Sequence, residues 1–109
     1  MEIVNLDKDL REEIIKIISF QKSVEKVILF GSRATHTSRQ NSDIDLAVFG
    51  PNLSDRDMSF IRDSLEENIK TPLKFDVIHF DTLTKKNLKN DILFEGICLY
   101  DAKTNKAAL

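Results

Sequence analysis

Two acids enter an apolar run at alternate positions: Ser42-Asp43-Ile44-Asp45-Leu46-Ala47-Val48-Phe49. Acids are poor strand formers, yet the residues after them read as a strand. Successive strand side chains point to opposite faces. Asp43 and Asp45 therefore share one face, while Ile44, Leu46 and Val48 turn toward a core. The segment asks for a sheet with a packed face and two like charges aimed the other way. Twice the rise per residue puts the two carboxylates about 6–7 Å apart, close enough to share a cation. Hard divalent cations take oxygen ligands of this kind. Without one the charges repel, and at least one pKa should rise.

The flanking segments supply the rest of a sheet and its helices. Asp7 caps a helix over 8–20, with Leu10, Ile14, Ile17 and Ile18 at helical spacing. Val27-Ile28-Leu29-Phe30 is a buried strand with a sharp exit at Gly31. Residues 35–42 are polar and loop-like, after one helical turn. The strand 44–49 closes at Gly50-Pro51. Ser54 then caps a helix, with Asp57 completing an approximate capping box and Met58, Ile61, Leu65 and Ile69 facing inward. Pro72 stops it. A third strand covers 74–80. Thr82 or Thr84 starts a further helix with Leu88 and Ile92 on one face and Gly96 as C-cap. A short strand over 97–100 follows, and the tail 103–109 is expected to fray. The order predicts one α/β or α+β domain over 1–109, a small mixed sheet with helices packed on it.

A third acid stands in an apolar run at Lys74-Phe75-Asp76-Val77-Ile78. The 30 residues between Asp45 and Asp76 include a whole predicted helix, ample for a crossover to a neighbouring strand. Asp43, Asp45 and Asp76 could then converge on metal from two strands, as two-metal phosphoryl transfer requires. The Gly31-Ser32 corner offers the complementary half. Glycine lets backbone approach closely, and N–H groups at a helix start bind phosphate. Ser32 can donate its hydroxyl, and Arg33 can fork onto phosphate oxygens.

Phe30-Gly31-Ser32, ten intervening residues and Asp43-Ile44-Asp45-Leu46 together resemble the signature of the polymerase-beta-like nucleotidyltransferases. Asp76 matches that superfamily's third carboxylate. The likeness to the minimal nucleotidyltransferases extends through Glu95-Gly96-Ile97-Cys98-Leu99-Tyr100. It implies a polymerase-beta-like fold, two Mg²⁺ ions held by Asp43, Asp45 and Asp76, and ATP as substrate. It further implies a HEPN-domain toxin as partner, with AMP transferred to a tyrosine of that toxin. A contact-only antitoxin, or transfer to a small molecule such as an aminoglycoside, are the alternatives. The short chain has no room for an acceptor domain, so the acceptor is expected from another chain, or from a second copy.

Composition narrows the classes. The 16 basic and 18 acidic residues leave a net charge of −2, without the basic stripe of a nucleic-acid binder. No apolar run approaches a membrane span. Cys98 is the only cysteine, which fits a reducing compartment and a buried, inert thiol. The acidic N-terminus is unlike a signal peptide, and a cytoplasmic location is expected. His36 and Arg39 fall in the polar loop, the former solvated and the latter near a nucleotide entrance. His79 reads as a half-buried structural residue. Asp55, Asp57, Asp63, Glu66 and Glu67 cap and solvate a helix.

Overall fold

A central antiparallel strand pair, buried on both faces, organises the molecule, here in a computed structural model that describes residues 6–35, 42–104 and 106–107. Strand β1 (Lys26–Phe30) pairs antiparallel with β2 (Ile44–Phe49), so Phe30 faces Asp45 and Ile28 faces Ala47. Strand β3 (Phe75–His79) lies parallel to β2 on its other side. Strand β4 (Ile97–Asp101) pairs antiparallel with β1 across a bulge at Val27/Ile28. The two-residue β5 (Lys106–Ala107) extends the sheet beyond β4. The strand order is β3-β2-β1-β4-β5, a mixed sheet of the expected α/β class.

Helices cover both faces. Helices α1 (Lys8–Ser19) and α3 (Asp55–Asn68) bury Ile14, Ile18, Met58, Ile61 and Leu65 against Val27, Leu29, Leu46 and Val48. Helix α4 (Lys86–Glu95) packs Ile92 onto Ile28 and Ala47 from the opposite side. The crossover β2–α3–β3 returns the chain to a neighbouring strand, as its length suggested. No helix among the described residues is long and apolar enough to cross a membrane.

Local chemistry explains most boundaries. Asp7 accepts from the Leu10 N–H at 3.2 Å. Ser54 and Asp57 exchange both bonds of a capping box at 3.0 Å. Four expectations need correction. Helix α4 starts later than Thr82 or Thr84, because Phe80–Thr82 winds into a 3₁₀ turn in which Thr82 Oγ1 donates to the His79 carbonyl. Gly96 does cap α4 as expected, in extended backbone with φ −72 and ψ 158; a Cβ there would strike Ile28 Cγ2 and the Ile92 carbonyl. The tail does not simply fray, since Lys106 and Ala107 pair with Asp101 and Tyr100. His79 is buried, not half-buried, with Nε2 2.7 Å from the Gly50 carbonyl, while Asp81 accepts from the Gly50 N–H at 2.8 Å. Cys98 is only half-buried, and burial pushes its thiol up, away from the reactive thiolate form.

Candidate active site

The sheet brings the singled-out segments to one end. Strand β1 stops at Phe30, and Gly31 turns the chain with φ +76. One turn of helix follows, α2 (Ser32–Thr35), with the Ala34 and Thr35 N–H groups both donating to the Gly31 carbonyl. Only glycine suits this corner, for two reasons. Its φ lies in the left-handed region. A Cβ there would also run into the Asp45 carboxylate. The corner and the acid are thus packed against one another. With a single turn, α2 offers an anion local N–H and hydroxyl groups rather than a long helix's dipole.

Asp45 and Asp76 are register partners across the parallel β2–β3 pair, so their side chains leave the sheet on the same side. That side is the one α4 partly covers, as the alternation with Ala47 requires. Asp43 lies two residues ahead, beside the Ile44 N–H that donates to the Lys74 carbonyl at 2.8 Å. Asp45 is half-buried, whereas Asp43 and Asp76 are exposed. Burial, reinforced by the charges of Asp76 and Asp43, pushes the Asp45 carboxyl up from 3.8 to about 6; Arg33 pulls it the other way. The expected repulsion is therefore present, and Asp45 carries it.

The arrangement stops short of the expected three-carboxylate cluster. Among the described residues no three of His, Cys, Asp and Glu are gathered closely enough to hold a metal ion by themselves. Arg33 also departs from expectation. It is 6% exposed, and its Nε and Nη2 donate to the Ser42 carbonyl at 3.1 and 2.9 Å. The fork expected on phosphate is closed on the chain's own backbone. Ser32 is half-buried at the corner. His36 and Arg39 lie outside the described residues.

Two features went unread in the sequence. Leu93 and Phe94, on the last turns of α4, are 55% and 85% exposed. Their signal was present: both fall off the Leu88–Ile92 stripe. Helix α4 leads through Gly96 into β4, whose Ile97 faces Leu29, so its C-terminal end lies at the carboxylate end of the sheet. On the other layer, Phe20 and Phe60 flank a groove of about 470 Å³ between α1 and α3.

The family described as Polymerase beta, Nucleotidyltransferase matches residues 12–105. No curated protein matches the chain significantly. Among solved structures, an MntA-HpeT toxin–antitoxin mutant superposes with a TM-score of 0.70 at 20% identity, over 87% of this chain and 76% of that one. A toxin–antitoxin structure with AMP-PNP gives 0.70 at 22% identity and the same coverage. A protein assigned as a minimal nucleotidyltransferase gives 0.64 at 25% identity, over 83% of this chain and 92% of that one.

Proposed function

This chain belongs to the polymerase beta nucleotidyltransferase family, and from that membership we propose that it transfers AMP from ATP to a tyrosine hydroxyl of a HEPN-domain toxin, in the cytoplasm. The observation that carries the reading is the pairing of Asp45 with Asp76 one strand away from the Gly31 corner. The structural likeness to a toxin–antitoxin structure with AMP-PNP supports both the nucleotide and the setting.

The donor set fits a hard divalent cation. It consists of carboxylates alone, and Asp45 is held at an unfavourable charge by burial and its two acidic neighbours, a cost that a cation among them turns into attraction. Asp43, Asp45 and Asp76 would hold two Mg²⁺ ions. When bound, Mg²⁺ neutralises phosphate charge and activates the attacking oxygen. Gly31 lets the triphosphate approach the backbone, and Ser32 donates its hydroxyl to a phosphate oxygen. The acceptor oxygen forms a bond to the α-phosphorus, the bond from that phosphorus to the β-phosphate oxygen breaks, and pyrophosphate leaves. Asp76, exposed at the sheet edge, takes or orients the acceptor proton.

A protein acceptor suits the surface better than a small molecule does. Leu93 and Phe94 are large, apolar and exposed at the carboxylate end, a surface that suits contact with another protein. Contact-only neutralisation would use the same surface. The test mixes α-³²P-labelled ATP, Mg²⁺ and the cognate HEPN protein with the native chain and with Asp43→Asn/Asp45→Asn. Label on the toxin with the native chain alone is the expected result. A double variant that still neutralises the toxin fully would sink the catalytic account and leave contact.

A further inference from the structure

Arg33 occupies the position next to the phosphate corner, where a cation most readily reads as a phosphate ligand. Its surroundings point elsewhere. The guanidinium is covered, and two of its donors converge on one carbonyl, that of Ser42. Ser42 immediately precedes Asp43. Arg33 itself is the second residue of α2. The bond therefore ties the turn that follows Gly31 to the backbone that delivers Asp43 and Asp45.

We propose that Arg33 is a positioning residue that latches the phosphate corner to the start of β2 and so fixes the spacing between the corner and the metal-binding acids. The proposal rests on the nucleotidyl-transfer reading above. Three constraints converge on this spacing. Phe30 is register-paired with Asp45. Gly31 is packed so tightly on the Asp45 carboxylate that a Cβ would not fit. Strand pairing holds the far side, through the Ile44 N–H to the Lys74 carbonyl. Without the latch, the approach to β2 loses these two bonds to α2 just before Asp43. A covered cation here also offsets part of the repulsion among the acids, which a neutral latch would not do.

Lysine separates this role from phosphate binding. A lysine is a good phosphate ligand as a point charge, but it lacks the planar fork that places two donors on one carbonyl. The experiment measures calorimetric binding of AMP-PNP over a range of Mg²⁺ concentrations, for the native chain, Arg33→Lys and Arg33→Gln. Thermal unfolding verifies that each variant folds. Amide hydrogen exchange at Ala34, Thr35 and Ile44 reads the latch without nucleotide.

Both variants are expected to raise the Mg²⁺ concentration needed for binding by roughly tenfold or more, as loss of a supporting residue does at metal sites. The three amides should exchange roughly tenfold faster, while those of α1 and α3 keep their protection. Near-native binding by Arg33→Lys with loss in Arg33→Gln would show a phosphate ligand and overturn the proposal. Unchanged exchange would overturn the latch itself. Faster exchange with an unchanged Mg²⁺ requirement would make the latch structural only and also overturn the proposal. A native chain that binds no Mg²⁺-AMP-PNP overturns the nucleotidyl reading and the positioning role with it, while the exchange data still report separately on the latch.

Discussion

Asp45 pays for its position before any ligand arrives. Its folded pKa of about 6 lies above the 3.8 of an ordinary aspartate. Between those values the folded state binds more protons than the unfolded one, so stability falls as pH rises through that window. The favourable contribution is complete below about pH 4 and lost above about pH 6. Asp45→Asn removes the charge and keeps the shape. In metal-free buffer at pH 7 it should unfold at a higher temperature than the native chain, and the gain should vanish near pH 4. Discounted for the part of the carboxylate that faces water, the gain is about 1 kcal/mol, or roughly 4–8 °C. Unfolding scans at the two pH values with a chelator present check the sign. A variant no more stable at pH 7 would mean that Asp45 is not under the strain ascribed to it. The sequence showed that acids lay at these positions and would repel. It could not show which acid would bear the cost, because that depends on burial, and Asp43 and Asp76 stay in water.

Elements whose ends are set by their own side chains were legible; those set by neighbours were not. Strand β2 begins and ends where its pattern and Gly50-Pro51 place it. Helix α3 starts on its own capping box. Helix α4 has no such device, for Lys85 stands at its N-cap with no side-chain bond to the helix. The threonines upstream looked like caps, but Phe80 stacks on Phe49 at a 4.1 Å centroid distance and draws the chain into a 3₁₀ turn first. Likewise β5 has two residues and no pattern, and exists only because β4 offers an edge. The weak start of α4 is open to improvement. Lys85 and Lys86 put positive charge at the positive end of the helix dipole. Lys85→Asp supplies both an N-cap acceptor and the favourable charge. It should stabilise the protein by about 1 kcal/mol, seen as a higher denaturant midpoint with an unchanged slope. A lower midpoint would mean that Lys85 contributes something other than a poor cap.

At the scale of the whole molecule, two exposed apolar surfaces lie on opposite sides of one sheet, and one of them lies at the end where the carboxylates assemble. Phe20 and Phe60 belong to the α1–α3 layer, which packs on the face away from Asp45. Leu93 and Phe94 ride on α4, whose C-terminal end meets the sheet beside Leu29, at the end where Gly31, Asp45 and Asp76 assemble. For a partner that brings a hydroxyl to the proposed site from this end, the second surface lies on the way and the first does not. Phe94→Glu should therefore leave the unfolding free energy within about 0.5 kcal/mol, as surface changes usually do. It should also leave Mg²⁺-AMP-PNP binding intact. Labelling of a protein acceptor should fall roughly tenfold or more, the loss expected when an exposed aromatic anchor worth about 2 kcal/mol is removed from an interface. Phe20→Glu is the control, with stability and labelling both near native. If Phe20→Glu abolishes labelling and Phe94→Glu does not, the partner approaches across the α1–α3 groove. The acceptor would then have to reach around the sheet edge beyond β3 to meet Asp76, and the partner segment that carries it would have to be long and extended.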